Sequence, residues 1–152
     1  MSAWLDVFER LYLAFRLKPY VSRRTRSLTK EHKLYLRDWS QIEDPAARFE
    51  NLIASHLLKS DISGPIWGTA FDLAYVRDRD KREVDFVVTE RRRPVALIEC
   101  KLADETPSSS LEYLGDAIGP MAKIQVIRKA GIDRAKGTVR VVSADRFLAG
   151  MC

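Results

Sequence analysis

The sequence has few of the residues that build zinc sites and disulfide frameworks. Its 152 residues include two cysteines and two histidines, and these form no cluster with metal-ligand spacing. Two cysteines in a chain of this length favour a reducing compartment over a secreted fold held together by disulfides. We therefore expect a cytoplasmic protein without a zinc centre.

Long apolar runs and a nucleotide-binding loop are also missing from the sequence. No stretch approaches the roughly 18 apolar residues that a membrane-spanning helix needs. The first residues lack the basic and then apolar order of a signal peptide. The phosphate-binding pattern Gly-x-x-x-x-Gly-Lys-Ser/Thr does not occur. The sequence therefore predicts no membrane partner and no ATP site in this chain.

Positive charge is what the composition does show. The chain has 26 Lys and Arg against 21 Asp and Glu, a net charge of +5. Basic loops can neutralise the phosphates of a nucleic acid, but they are also typical of a solvated surface, and both interpretations stay open. The candidate nucleic-acid-binding residues form two clusters: Arg23, Arg24 and Arg26, and then Arg91, Arg92 and Arg93.

Two β-rich segments form the centre of the sequence. They are Glu83–Glu90 and residues 95–101, and the charged residues 91–94 separate them. This pattern predicts an antiparallel hairpin whose loop is longer than a tight two-residue turn. Residues 71–76 alternate in the same way, so we expect three consecutive strands to form a meander.

Acidic side chains occur in both strands of the predicted hairpin. Asp85 lies within the apolar first strand, whereas Glu99 and Lys101 end the second strand and share one face of it. If the strands pair antiparallel, Asp85 can lie near Glu99. Charges in an apolar setting are costly unless they are paired or bind a metal, and a hard divalent cation would relieve the repulsion between two carboxylates. The alternative is an ordinary solvated Glu99–Lys101 pair, with Asp85 on a wet face.

A third acidic residue lies on a predicted helix. Asp44 and the following proline are typical of a helix start, and the helix is predicted to run to about residue 60. Glu50 lies in line with Ile53 and Leu57 of the apolar face. Either Glu50 faces Asp85 and Glu99, or it reaches solvent from the edge of the apolar stripe.

The remaining segments complete the predicted order. The N-terminal region reads as an amphipathic helix around Trp4, followed by two strands that a basic loop at residues 21–29 joins. After Lys101 we expect a helix that Ser109 caps in a capping box with Glu112, two further strands and a short terminal helix that Ser143 caps.

The motifs resemble a known superfamily. Asp85, followed by Glu99-Cys100-Lys101, resembles the D…(D/E)xK core of the PD-(D/E)XK nuclease-like superfamily. Residues 33–38, 48–51 and 83–86 are similar to the C-terminal nuclease-like domain of bacterial and archaeal AAA+ ATPases, and the similarity runs from about Trp4 to Leu148. The ATPase part of that architecture is absent from this chain, so we expect a truncated or standalone version of it.

The resemblance implies an α/β (α+β) fold. Its restriction-endonuclease-like αβββαβ core would carry a mixed sheet and would occupy residues 41–152. Residues 1–40 would be a small winged-helix-like segment, made of the N-terminal helix and the hairpin.

The resemblance also implies roles for single residues. Asp85, Glu99 and the backbone carbonyl of Cys100 would bind Mg²⁺ or Mn²⁺, and Glu50 and Lys101 would complete the catalytic set. The implied function is a divalent-metal-dependent DNA endonuclease.

Two other functions stay open. One is a catalytically silent DNA-binding or regulatory module associated with an AAA+ ATPase, whose partner would be DNA or an ATPase subunit. The other is a winged-helix DNA binder that uses Arg23, Arg24 and Arg26.

Overall fold

The computed structural model describes residues 3–22, 31–63 and 71–151 of the chain. They form one eight-stranded mixed sheet with four α-helices and a 3-10 turn at Trp39–Gln41, which confirms the predicted α/β (α+β) class. The helices are α1 (Ala3–Arg10), α2 (Pro45–Ser63), α3 (Ser109–Ile118) and α4 (Ala144–Ala149). The strands are β1 (Ala14–Pro19), β2 (Lys33–Leu36), β3 (Phe71–Arg77), β4 (Glu83–Glu90), β5 (Arg93–Lys101), β6 (Ala122–Ile127), β7 (Asp133–Lys136) and β8 (Val139–Ser143).

The strands lie in the order β2-β1-β3-β4-β5-β6-β8-β7. The pairs β1/β2, β3/β4, β4/β5 and β7/β8 are antiparallel, whereas β1/β3, β5/β6 and β6/β8 are parallel. The run α2-β3-β4-β5-α3-β6 is the predicted αβββαβ order, and β3-β4-β5 is the predicted meander.

Two apolar clusters cover the two faces of the sheet. In the α2 cluster, Ile53 of α2 packs with Phe86 and Ile98 of the sheet. In the α3 cluster, Leu111 of α3 packs with Val87 and Leu97. Neighbouring residues of β5 thus enter different clusters, as the period of two along a strand requires.

The β4–β5 hairpin has a shorter loop than the sequence predicts. Its two turn residues, Arg91 and Arg92, have φ values of +48° and +67°, as in the tight turns that match the twist of antiparallel strands. Arg93 and Pro94 belong to β5, where they pair with Glu90 and Thr89. The expectation of a longer loop was therefore wrong, because extended pairing includes the residues that the charge pattern assigned to the loop.

The ends of two helices also differ from the prediction. Helix α2 begins at Pro45 as predicted but ends at Ser63, so residues 61–63 are helical and not part of a loop; the rest of that predicted loop, through residue 68, lies outside the described residues. Helix α3 begins one residue earlier than expected, because the hydroxyl of Ser108, and not that of Ser109, accepts the N–H of Leu111.

One strand was not predicted. Strand β7 pairs antiparallel with β8 at the sheet edge. Its residues are mostly exposed, so the apolar alternation that reveals a half-buried strand is absent there.

The N-terminal segment forms the predicted helix and two-stranded hairpin. Strand β1 pairs with β2 and also, in parallel, with β3, so the segment extends the same sheet. The loop predicted between β1 and β2 lies mostly outside the described residues, and the division into domains at residue 40 stays a prediction. None of the helices in the described ranges has the length and apolarity that crossing a membrane requires.

Candidate functional site

A β-bulge sets the direction of the Asp85 side chain. Ala74 of β3 pairs with Val87 of β4, but Val76 pairs with Val84, so Asp85 and Phe86 both lie opposite Tyr75. A bulge of this kind re-aims a side chain. Here it brings Asp85 to the face of the sheet on which α2 packs, where the Asp85 Oδ2 accepts the backbone N–H of Cys100 at 2.9 Å.

Lys33 lies at the centre of the site. Its Nζ is 2.6 Å from Glu83 Oε1, 3.0 Å from Glu50 Oε1 and 3.3 Å from Asp85 Oδ1. Burial opposes its charge, but the charges of the three carboxylates raise the pKa of Lys33 above its ordinary value, so the amine stays protonated. Lys33, Glu50, Glu83 and Asp85 together form the Lys33 cluster, which joins β2, α2 and β4.

Two polar side chains fix β2 against α2. The hydroxyl of Tyr35 donates to Glu50 Oε1 at 2.7 Å. Burial first, and then the Glu50 charge, raise the pKa of Tyr35, so the phenol remains a donor. The buried Asn51 accepts the N–H of Leu36 at 2.9 Å and donates to its C=O at 2.5 Å. The Lys33 cluster is therefore held in place by its neighbours along both elements.

Glu99 is a buried carboxylate with one unsatisfied oxygen. Its exposed fraction is 6%, its Oε1 pairs with Lys101 Nζ at 2.8 Å, and its Oε2 has no hydrogen-bond partner among the described residues. Ile98 and Cys100 pack in the α2 cluster, so alternation along β5 places Glu99 and Lys101 on the α3 face, whereas Asp85 reaches Lys33 on the α2 face. Burial raises the pKa of Glu99, although Lys101 and the backbone N–H of Asp85 lower it.

The charge of Glu99 disfavours the charge of Asp85. Burial, followed by the charges of Glu50 and Glu99, raises the pKa of Asp85 to about 7, against the opposing effects of Lys33 and the Cys100 N–H. Asp85 and Glu99 stand one residue beyond the last bridged pair of the β4–β5 ladder, Phe86 with Ile98. Repulsion of this kind is what a bound cation relieves.

The donor chemistry of Asp85 and Glu99 fits a small divalent cation. Among the described residues, no group of three or more acidic, histidine or cysteine side chains has the arrangement of a metal site. Mg²⁺, however, is usually held by one or two carboxylates together with waters and substrate phosphate. The unsatisfied Glu99 Oε2 and the disfavoured Asp85 carboxylate are such a pair. Burial raises the pKa of the Cys100 thiol well above its ordinary value, and a hard cation such as Mg²⁺ prefers oxygen ligands, so the backbone carbonyl is the group that Cys100 offers.

The structure brings together some of the predicted site residues and not others. Glu50 and Asp85 share Lys33, while Glu99 contacts Lys101 and lies beside Asp85. Arg91, Arg92 and Arg93 are at the opposite end of the hairpin, since the strand from Asp85 to the turn covers about 20 Å at ~3.3 Å per residue. Arg23, Arg24 and Arg26 lie outside the described residues.

A groove opens onto the Lys33 cluster. It is a cavity of about 340 Å³ between β2 and α2. Its lining includes Lys33, Glu50, Asn51 and Glu83. The cluster is therefore reached from solvent on the side of α2.

Sequence reasoning missed Lys33, Tyr35 and Glu83 as site residues. The signal was present, because Lys33 and Tyr35 alternate onto one face of β2 and Glu83 precedes Asp85 by two positions on β4. Nothing local indicated that β2 would lie close enough to β4 for a lysine to reach it.

Comparisons with known proteins give one family and one distant structure. A family model described as "Domain of unknown function (DUF4143)" matches residues 46–147. No curated protein matches the chain. Among solved structures, the chain is similar to one in a refined half-complex from a tetradecameric assembly of Thermococcus gammatolerans McrB AAA+ hexamers with bound McrC, at 15% identity and a TM-score of 0.42. That similarity covers 66% of this chain and 27% of the other, so the chain spans about a quarter of its length.

Proposed function

This chain belongs to the DUF4143 family, and we propose that it is a divalent-metal-dependent endonuclease domain that hydrolyses phosphodiester bonds in DNA. The observation that carries the proposal is the pair formed by Asp85 and Glu99. Both are carboxylates whose pKa is raised by burial, the charge of Glu99 adds to the cost of ionising Asp85, and Glu99 keeps one oxygen unsatisfied. A bound cation would lower the cost of keeping both carboxylates ionised, and carboxylates with perturbed pKa values are typical of functional sites.

The chain's own residues take the following roles in this proposal. Asp85 and Glu99 would hold Mg²⁺ or Mn²⁺ through carboxylate oxygens, with the backbone carbonyl of Cys100 as a further ligand. When bound, the ion supplies acidification of an attacking water and neutralisation of charge on the phosphate.

Lys101 and Glu50 would act around that ion. Lys101, whose side chain is 40% exposed, can turn from Glu99 to orient the water or to stabilise negative charge that develops on the phosphate. Glu50 would hold a water of the metal or a second ion. One P–O bond forms to the water oxygen and the bond to the leaving sugar oxygen breaks, so no covalent enzyme intermediate is needed.

A cleavage assay with matched variants tests the proposal. Purified protein is incubated with supercoiled plasmid and with single-stranded DNA in Mg²⁺ or Mn²⁺. We expect Asp85→Asn and Lys101→Ala to lose cutting while keeping the circular dichroism spectrum of the wild type. Asp72→Asn, which changes an exposed carboxylate on β3, is the control and should cut normally. Equal cutting by all variants would identify a contaminant, and no cutting by the wild type with either metal would overturn the proposal.

The contacts of Lys33 favour a second candidate function. One ammonium already neutralises part of the charge of Glu50, Glu83 and Asp85, as expected for a catalytically silent module that keeps the scaffold. Such a module would bind DNA or an ATPase subunit, and association with an AAA+ ATPase is part of this proposal. Calorimetric titration with Mg²⁺ separates the candidates. No binding at millimolar Mg²⁺, together with salt-sensitive DNA binding, would favour the silent module.

A further inference from the structure

The Lys33 ammonium has the contacts that a bound cation would have. It can donate three hydrogen bonds, and its Nζ lies within 3.3 Å of one carboxylate oxygen from each of Glu50, Glu83 and Asp85. Its side chain is 18% exposed. The ring of Tyr75 adds a further favourable contact, with its centroid 5.6 Å from the Nζ.

The charge of the cluster is nevertheless incompletely balanced. Arg77 pairs with Glu83, so two cations, Lys33 and Arg77, meet three carboxylates. Glu99 lies beside Asp85 with its buried Oε2 unsatisfied. This oxygen is an observation independent of the acidic cluster, and it marks a place where a hydrogen-bond donor or a cation is missing. Lys101 pairs with the other oxygen of Glu99.

We infer that Lys33 is the resident counter-ion of this site and that it competes with the divalent cation, so that metal binds tightly to Asp85 only after Lys33 has left the cluster. This inference rests on the proposed function and describes the regulation of the same site. A metal ion and an ammonium cannot share Asp85 Oδ1 without strong repulsion, because both carry positive charge at contact distance.

The structure has space beside the cluster for the Lys33 side chain when a metal ion displaces it. Strand β2 is at the sheet edge, with β1 as its neighbour, and the groove of about 340 Å³ adjoins Lys33 and Glu50. A lysine on a flexible four-carbon stem can turn into such a space. There its ammonium would form an ion pair with a phosphate group of the substrate. The resident lysine would thus link tight metal binding to the arrival of a phosphodiester.

Metal affinity measured without DNA tests the inference. Lys33→Met keeps most of the length of the side chain and removes its charge, whereas Lys33→Arg keeps the charge. We expect Lys33→Met to bind Mn²⁺ about tenfold or more tightly than the wild type in calorimetry, the effect of removing one competing charge. Lys33→Arg should bind no more tightly than the wild type. The control Lys18→Met changes an exposed lysine of β1 and should leave the affinity unchanged.

Loss of the Lys33 charge could unfold Lys33→Met, so a measurement on the wild type accompanies it. The chemical shift of the Lys33 ammonium in NMR spectra should move away from its value in the hydrogen-bonded cluster as Mg²⁺ saturates the protein. An unchanged signal at saturating Mg²⁺, or Mn²⁺ affinity of Lys33→Met no higher than that of the wild type, would overturn the inference.

The two proposals fail in different ways. If the wild type cuts DNA but Lys33→Met binds metal no more tightly, the proposed competition between Lys33 and the metal is overturned. The proposed nuclease activity then still stands. If Lys33→Met binds Mn²⁺ tightly but neither the wild type nor any variant cuts DNA, the proposed nuclease activity is overturned. The proposed competition between Lys33 and the metal then still stands.

Discussion

Glu99 is a residue at which function and stability are opposed. Its carboxylate is buried, its Oε2 has no hydrogen-bond partner among the described side chains and backbone groups, and burial raises its pKa. An unsatisfied buried polar atom costs stability. The arrangement is understandable if the oxygen is kept for a ligand.

The first prediction concerns this residue. In metal-free buffer at neutral pH, Glu99→Gln should increase the free energy of unfolding by about 1 kcal/mol, because a neutral amide is cheaper to bury than a carboxylate. The gain should be reversed in Mn²⁺, which would stabilise the wild type and not the variant. Urea unfolding with EDTA and with Mn²⁺ measures both effects.

The exposed Glu112 provides the control for this experiment. Glu112→Gln should change neither value by more than about 0.5 kcal/mol. If Glu99→Gln destabilises the metal-free protein and still responds to Mn²⁺, Glu99 is a structural partner of Lys101 and not a ligand.

At the scale of the elements, the site depends on the contact between β2 and α2. Strand β2 has four residues and carries Lys33 at its start, while α2 carries Glu50. Asn51 joins the two elements by bonding both backbone groups of Leu36. A one-residue shift of β2 would turn Lys33 away from the carboxylates, since the face of a strand alternates at every residue.

The second prediction concerns a variant that removes the hydrogen bonds of this contact. Asn51→Ala should cost about 2–3 kcal/mol, because two hydrogen bonds are lost and backbone groups of Leu36 are left without partners. Hydrogen exchange should show the Leu36 amide losing protection more than the amides of β4.

Asn51→Asp is the matched variant. It keeps the acceptor for the Leu36 N–H but has no donor for the Leu36 C=O, so only part of the amide protection should return. Equal protection of Leu36 in the wild type and in Asn51→Ala would show that β2 is held by β1 alone.

A second element is attached by charge rather than by packing. Helix α1 has no buried residue, and Arg16 of β1 holds it through Asp6 at 2.7 Å and Glu9 at 2.5 Å. The hydrogen bond from Arg16 holds the pKa of Glu9 below its ordinary value. A carboxylate with a lowered pKa stabilises the folded state above its unfolded pKa, and this contribution is lost as pH falls through the folded pKa.

The third prediction follows from that sign. Protection of the α1 amides, corrected for intrinsic exchange, should be steady at neutral pH and should fall as pH drops below the ordinary pKa of glutamate, 4.5. The amides of β4 and β5 should keep their protection over the same range. Glu9→Gln should show the low-pH behaviour of α1 already at neutral pH, and added salt should weaken the attachment in the wild type. An α1 that stays protected at low pH would have to be held by apolar contacts instead.

The elements also show which parts of the structure a sequence can reveal. Strand β4 has the predicted bounds and α2 has the predicted start, because both depend on local sequence signals. For β4 the signal is an apolar run, and for α2 it is an acidic residue before a proline. The contact between Lys33 and Asp85 depends on the lateral order of four strands, and the bulge at Asp85 depends on the register of β3. These are properties of the whole sheet, so the local pattern named the acids but not the lysine among them.

On the scale of the whole molecule, the N-terminal segment completes both the core and the site. Phe15, Leu17 and Tyr35 belong to the α2 cluster, and Lys33 supplies the positive charge among the carboxylates. Strand β1 also covers the edge of β3, which would otherwise expose unpaired backbone groups.

The fourth prediction is that residues 41–152 do not fold cooperatively without the N-terminal segment. Their removal takes three apolar side chains from the α2 cluster, opens the edge of β3 and leaves buried carboxylates without Lys33, a loss of several kcal/mol against the ~5–15 kcal/mol of a typical domain. We expect the fragment to show a shallow urea transition and a weak near-ultraviolet circular dichroism signal. A chain that lacks only residues 1–10 is the matched control, and it should unfold cooperatively because α1 has no buried residue. Should the fragment 41–152 unfold as steeply as the whole chain, residue 40 would be a true domain boundary, as the sequence predicts, and the Lys33 cluster would be a contact between two independent units.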